Sequence, residues 1–181
     1  MPHLTTVLNG SASLIPAFIH VDKNFLFDGG FGIDTDDGSQ RLHVTNNVVL
    51  TGLWKDGIAN SHKNYSGNVE LFGGGCFSSG QHDKGSSNFT DNHCFVGGQT
   101  SYFNCHCNIT CTGWPETCTP CPGLRNNHYY QQNQTYVTCG NLTLPELQAR
   151  GLEVGSTVSP VPDADGIVRI VRAQLSLDQD R

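Results

Sequence analysis

Val44-Thr45-Asn46-Asn47-Val48-Val49-Leu50-Thr51-Gly52 is a phrase that this chain repeats. It returns in altered form as Val21–Gly29 around Asn24, as Tyr65–Gly73 around Asn68, and as Phe89–Gly97 around Asn92. The four Asn residues are 23, 21 and 24 positions apart, a period that signals one supersecondary unit per repeat. After each Asn, positions +1 and +3 are large and mostly apolar (Phe25/Phe27, Val48/Leu50, Val69/Leu71, His93/Phe95). The residue between is mixed: Leu26, Val49, Glu70, Cys94. This alternation predicts a strand with one buried face, the +1 and +3 columns pointing inward with His93 among them. Gly closes each phrase, where a bend of positive φ is cheapest. Strand and bend at about 22 residues per turn predict a solenoid of parallel coils about 4.8 Å apart, with the Asn amides stacked and hydrogen-bonded at one tight, left-handed turn.

The 181 residues suit one domain with an appendage. A net charge of −6 and no Lys/Arg run argue against nucleic acid or an anionic membrane as partner. No apolar stretch approaches the roughly 20 residues of a membrane span. Eight Cys (Cys76, Cys94, Cys105, Cys107, Cys111, Cys118, Cys121, Cys139) point to disulfides and an oxidising compartment. Sequons occur at Asn9, Asn64, Asn88, Asn108, Asn133 and Asn141, against about two expected by chance from 15 Asn and 28 Ser plus Thr. The expectation is a secreted glycoprotein. Residues 1–20 have no signal-peptide pattern, so a fragment whose first coils lie upstream is expected.

The chain divides into β-helix coils over 1–104, a Cys-rich loop over 105–134, and a last strand with a helical cap over 135–181. Within the loop Cys118-x-x-Cys121 reads as half a zinc knuckle or as disulfide cysteines, and a secretory context favours the second. In the tail, Thr143-Leu-Pro-Glu146 is a capping box that opens one short helix. Asp163-Ala-Asp165-Gly opens another, with Ile167, Val168, Ile170, Val171 and Leu175 as its apolar face. That helix is expected to cover the open end of the solenoid.

Chemistry is most concentrated at Asp34, Asp36 and Asp37. Acids this close repel, so compensating groups are expected nearby. Suitable groups begin about one coil further on: Lys55, then His62-Lys63, then His82-Asp83-Lys84. Asp34, Asp36, Asp37, Lys55, His62 and His82 form the candidate catalytic set. Trp54, Lys63 and Lys84 are candidate substrate contacts. The three acids are also candidate Ca²⁺ ligands, although no EF-hand order is present. Turn chemistry alone also explains an Asp cluster, and surface residence alone explains His62 and His82.

The coil length, the Asn ladder and the phrases Ile33-Asp34-Thr35-Asp36-Asp37-Gly38-Ser39, His62-Lys63 and Leu147–Leu175 resemble the right-handed parallel β-helix superfamily that includes pectate lyases and polygalacturonases. The resemblance covers roughly residues 20–104 and 135–177. It implies an all-β right-handed parallel β-helix and action on polysaccharide, as lyase or glycoside hydrolase. The full acidic and Gly-His-Gly set of polygalacturonases is not present; only Asp36-Asp37 matches its middle. Hydrolysis would use two carboxyl groups. Lyase chemistry would use Lys55, His62 or Lys84 as base, with Ca²⁺ on the acids. The rival expectation is a non-catalytic extracellular carbohydrate-binding or structural module. Substrate, disulfide pairing and oligomeric state are not legible in the sequence.

Overall fold

The computed structural model describes residues 18–27, 32–35, 41–52, 54–56, 62–73, 76–79, 87–96, 103–105, 123–132 and 142–177. The first three strands are β1 (Ile19–Asp22), β2 (Phe25–Phe27) and β3 (Ile33–Thr35). The next six are β4 (Leu42–Thr45), β5 (Val48–Leu50), β6 (Trp54–Asp56), β7 (Lys63–Ser66), β8 (Val69–Gly73) and β9 (Phe77–Ser79). Then follow β10 (Asn88–Thr90), β11 (His93–Val96), β12 (Phe103–Cys105), β13 (Gly123–Arg125) and β14 (His128–Tyr130). Helix α1 (Leu144–Ala149), β15 (Thr157–Ser159) and helix α2 (Ala164–Gln174) complete the described chain.

Each strand through β11 pairs in parallel with the one three places on, giving three sheets. The first is β1-β4-β7-β10-β13, the second β2-β5-β8-β11-β14-β15, the third β3-β6-β9-β12. The chain therefore visits the three sheets in turn, a solenoid-like, mostly-β arrangement with parallel sheets. Left-handed backbone marks the corners. Lys23, Asn46, Gly67, Asp91, Asn126 and Gly155 all have positive φ, and each immediately precedes a residue of the stacked column. Arg41 and His62 take the same conformation before β4 and β7, and Thr51 and Phe72 take it at the end of the second-sheet strands.

The left-handed residue is therefore the one before the ladder Asn, not the Asn. Likewise Gly52 and Gly73, the closing glycines among the described residues, are not chosen for φ. A Cβ on Gly73 would sit 2.0 Å from the Gly52 carbonyl oxygen, and one on Gly52 would sit 2.8 Å from the Gly32 nitrogen. Corners of successive coils touch there through backbone, and only hydrogen fits.

The Asn column is continuous. Backbone N–H and side-chain Nδ2 of Asn24, Asn47, Asn68 and Asn92 each donate to Oδ1 of the next Asn, the last acceptor being Asn127, at 2.9–3.2 Å. The remaining Nδ2 hydrogens of Asn68, Asn92 and Asn127 meet the carbonyls of Val44, Tyr65 and Phe89. Asn47, Asn68, Asn92 and Asn127 are fully buried, and no amide hydrogen is wasted. Asn127 belongs to a fifth rung, inside the stretch 105–134 that the sequence reading gave wholly to a loop. The 35-residue step from Asn92 to Asn127 holds the Cys-rich insertion, which leaves after β12 and rejoins at β13.

Between the sheets lies one core: Leu42, Val44, Tyr65, Phe89 and Leu124 from the first, Val49, Cys94 and Tyr129 from the second, Trp54 and Phe77 from the third. The inward column of the second sheet is thus the mixed +2 position, and the +1 and +3 columns face outward. They are apolar because α2 covers them: Val48, Val69, Leu71 and Phe95 pack with Ile167, Ile170, Val171 and Leu175. Helix α2 lies on the outer face of that sheet, not over an open end as expected. It is α1 whose Leu144 and Leu147 join the interior core. Both N-caps are as read: Thr143 with Glu146 forms the capping box, and the Asp163 side chain accepts from Gly166 N–H.

Candidate functional site

The third sheet brings two of the predicted residues, Asp34 and Lys55, to neighbouring rungs. Its register aligns Ile33 with Trp54 and Phe77, Asp34 with Lys55 and Ser78, and Thr35 with Asp56 and Ser79. Ile33, Trp54 and Phe77 pack into the core. Asp34 and Lys55 occupy the alternate position, as direct partners on neighbouring rungs about 4.8 Å apart. A potential acid and a potential base, 21 residues apart in sequence, thus share one rung step. His62 is exposed at a left-handed corner before β7. Asp36, Asp37, His82 and Lys84 lie outside the described residues.

Two nominated substrate contacts are core residues. Trp54 is fully buried between Ile33 and Phe77 in register, because its strand turns that position inward. Lys63 is 1% exposed. Its Nζ crosses the interior from β7 and donates to the Thr35 carbonyl at 2.9 Å and to Thr35 Oγ1 at 3.1 Å. Thr35 Oγ1 is 2.6 Å from the Tyr65 hydroxyl. The ammonium therefore sits under the strand that carries Asp34, on its inner side. Lys63 supports the strand from within and is out of reach of a ligand.

Sequence reasoning passed over the outer face of the first sheet. Register places His20, His43, Asn64 and Asn88 in one column and Asp22, Thr45, Ser66, Thr90 and Arg125 in the next. Thr45 Oγ1 and Asn46 Nδ2 both donate to Asp22 Oδ1, and the Thr45 bond leads in holding the Asp22 carboxyl below its usual range. His20 and His43 rings lie 5.0 Å apart. The sequons at Asn64 and Asn88 fall on this face, as register partners. Strand alternation puts polar residues two apart on any such face, so Asn-x-Ser/Thr arises here from fold geometry as well as from glycosylation. Asn9, Asn108, Asn133 and Asn141 lie outside the described residues.

The outer edge of the second sheet carries a histidine pair. His93 and His128 rings stack at 4.8 Å. His93 Nδ1 is 3.1 Å from the Tyr130 hydroxyl, and His128 Nδ1 is 3.0 Å from Thr157 Oγ1. Burial first, then the His128 charge, lowers the His93 pKa to about 4.

Inside, Glu70 takes the inward column beside Val49 and Cys94. Its carboxyl accepts from the Gly73 N–H through Oε1, while Oε2 is buried without a partner. Burial raises its pKa well above the usual range. Cys94 is disulfide-bonded to Cys76, with Cα atoms 5.6 Å apart. Cys105 ends β12. Cys107, Cys111, Cys118, Cys121 and Cys139 lie outside the described residues.

Among the described residues no group of three or more His, Cys, Asp or Glu is placed to hold a metal ion, and no helix is long and apolar enough to cross a membrane. No family model, no curated protein and no solved structure matches the chain.

Proposed function

We propose that this chain is a right-handed parallel β-helix, secreted and glycosylated, that acts on a polysaccharide across its third sheet. The observation that carries the reading is the register pairing of Asp34 with Lys55. A polymer lying along the solenoid axis meets one rung every roughly 5 Å, so an acid and a base on adjacent rungs can address neighbouring atoms of one linkage. In the lyase form, the Lys55 amine takes the proton α to a uronate carboxylate. The C–O bond to the leaving sugar breaks, its oxygen takes a proton from the Asp34 carboxyl, and a C=C bond remains in the product. Hydrolysis would pair Asp34 with a second carboxyl group, for which Asp36 and Asp37 are the neighbours in sequence. The described residues do not supply a Ca²⁺ ligand set. A disulfide between Cys76 and Cys94 fits an oxidising compartment.

A second reading rests on a different observation. The outer face of the first sheet presents polar side chains on five successive rungs, which suits a module that binds carbohydrate without cleaving it.

The test is an assay on uronate and neutral polysaccharides, following new reducing ends together with ultraviolet-absorbing unsaturated uronate. The lyase form gives both signals, and Asp34→Asn and Lys55→Gln each lower the rate by about 100-fold or more. Reducing ends alone indicate hydrolysis. Silence from folded, glycosylated protein removes the enzyme reading and leaves the binding module.

A further inference from the structure

The two ends of the solenoid-like stack differ chemically. At the far end the ladder is closed: Asn127 N–H donates to Ser156 Oγ at 2.9 Å and its Nδ2 to Glu153 Oε2 at 3.2 Å. Ser156 Oγ donates to Glu153 Oε2 at 2.5 Å, and Tyr129 holds Glu153 Oε1 at 2.6 Å. Gln148 of α1 then ties the Glu153 and Ser156 carbonyls. At the near end nothing equivalent exists among the described residues. Oδ1 of Asn47, Asn68, Asn92 and Asn127 each accepts two N–H groups, whereas Oδ1 of the exposed Asn24 accepts none.

The backbone of that edge is open in the same sense. Among the described residues β1 and β2 each pair on one side only. Ile19 and Lys23 N–H donate toward β4, to Arg41 and Thr45 carbonyls, at 2.9 and 3.2 Å. Alternation in a parallel strand then turns the N–H and C=O of His20 and Asp22 outward. Apolar side chains line the rung: Ile19 is 61% exposed, Phe25 55% and Phe27 74%. Helix α2 does not reach them. Its 11 residues span about 16 Å at ~1.5 Å each, just over three rungs, from beside Tyr130 to the bond between Gln174 Nε2 and Asn46 Oδ1.

We propose that the β1-β2 edge binds an extended polypeptide segment as one more parallel coil. Main-chain N–H and C=O groups alternating in register are matched by a strand and not by a glycan. The parallel direction follows from Asn24, whose open acceptor lies where a preceding coil carries its paired N–H donors. The segment would be apolar at alternate positions, to cover Val21 and Leu26, both less buried than Val44 and Val49 one rung on. This inference stands on strand register and is independent of the proposed enzymatic activity.

The test uses the full chain and a synthetic peptide copying its own residues Arg41–Gly52, with a scrambled peptide as control. Amide exchange at His20 and Asp22 is followed by NMR. Saturating peptide should slow both amides about tenfold or more, and the scrambled peptide should not. His20→Pro removes an outward N–H without touching a β4 bond and should abolish the slowing at Asp22, the amide that remains to report. Phe27→Lys, at a 74% exposed position, should weaken binding with the fold intact. No slowing at millimolar peptide overturns the proposal. So does slow exchange already present in peptide-free monomer, which would mean the chain covers its own edge. Slowing that tracks protein concentration would assign the edge to a second copy and overturn it equally.

Discussion

Asn68 shows what one residue carries in this architecture. It accepts two N–H groups from Asn47, and its Nδ2 donates to Val44 and Asn92, all without water. Asn68→Leu strands the buried Asn47 amide and the Val44 carbonyl, and should cost about 3 kcal/mol in urea unfolding. Asn24→Leu, at the exposed first rung, should cost about 1 kcal/mol, because water can replace what is lost. The closing glycines allow a parallel comparison. Gly73→Ala forces a methyl group onto the Gly52 carbonyl and should cost more than about 2 kcal/mol. Gly151→Ala, with φ +78 and open space around it, should cost only about 1 kcal/mol of backbone strain. The repeated Asn and Gly were visible in the sequence as a register. Their reasons were not, because close approach between corners depends on which backbone lies one coil away.

Buried Glu70 and partly buried His93 give the second sheet an opposed pH dependence. Burial raises the Glu70 carboxyl, so its folded pKa lies above the unfolded one. Its contribution is fully present below about pH 4.5 and is lost as pH rises through the folded value. His93 is the reverse: its folded pKa of about 4 lies below 6.5, so its stabilisation is present above 6.5 and is lost as pH falls to about 4. Melting temperature against pH should therefore fall on both sides. Glu70→Gln should flatten the loss that sets in as pH rises above about 4.5, and His93→Gln the loss between pH 6.5 and 4. On α2, Ile170→Ala should cost about 1–2 kcal/mol by uncovering Val69 and Leu71. Val168→Lys, already 54% exposed, should stay within about 0.5 kcal/mol of the parent.

Sequence pattern led to the right elements here and to the wrong faces. Both strand columns of the second sheet are buried, one by the interior and one by α2, so apolar +1 and +3 positions did not reveal which column points in. Period 2 fixes that two faces exist, and only the helix, far downstream in sequence, decides their roles. The fifth rung was missed for a related reason. Arg125-Asn126-Asn127-His128-Tyr129-Tyr130 carries the same Asn-Asn corner as Asn46-Asn47, but the insertion before it stretches the period to 35.

At the scale of the whole molecule, three sheets visited in turn convert a period of 21 to 24 residues into adjacency. That adjacency puts Asp34 beside Lys55, which no local motif encodes. It equally puts Trp54 and Lys63 inside, where their chemistry is structural. A sequence scan for catalytic types could nominate all four, since each is a plausible ligand contact by residue type. Separating them required knowing that Ile33, Trp54 and Phe77 share the inward column and that Lys63 reaches Thr35 through the core. The measurement that tests the functional account most directly is amide shift mapping with an oligosaccharide from the most responsive polymer. The account predicts movement along Ile33–Thr35 and Trp54–Asp56 on the third sheet. Movement confined to His43–Thr45 and Asn64–Ser66 on the first sheet, or none at all, would contradict it.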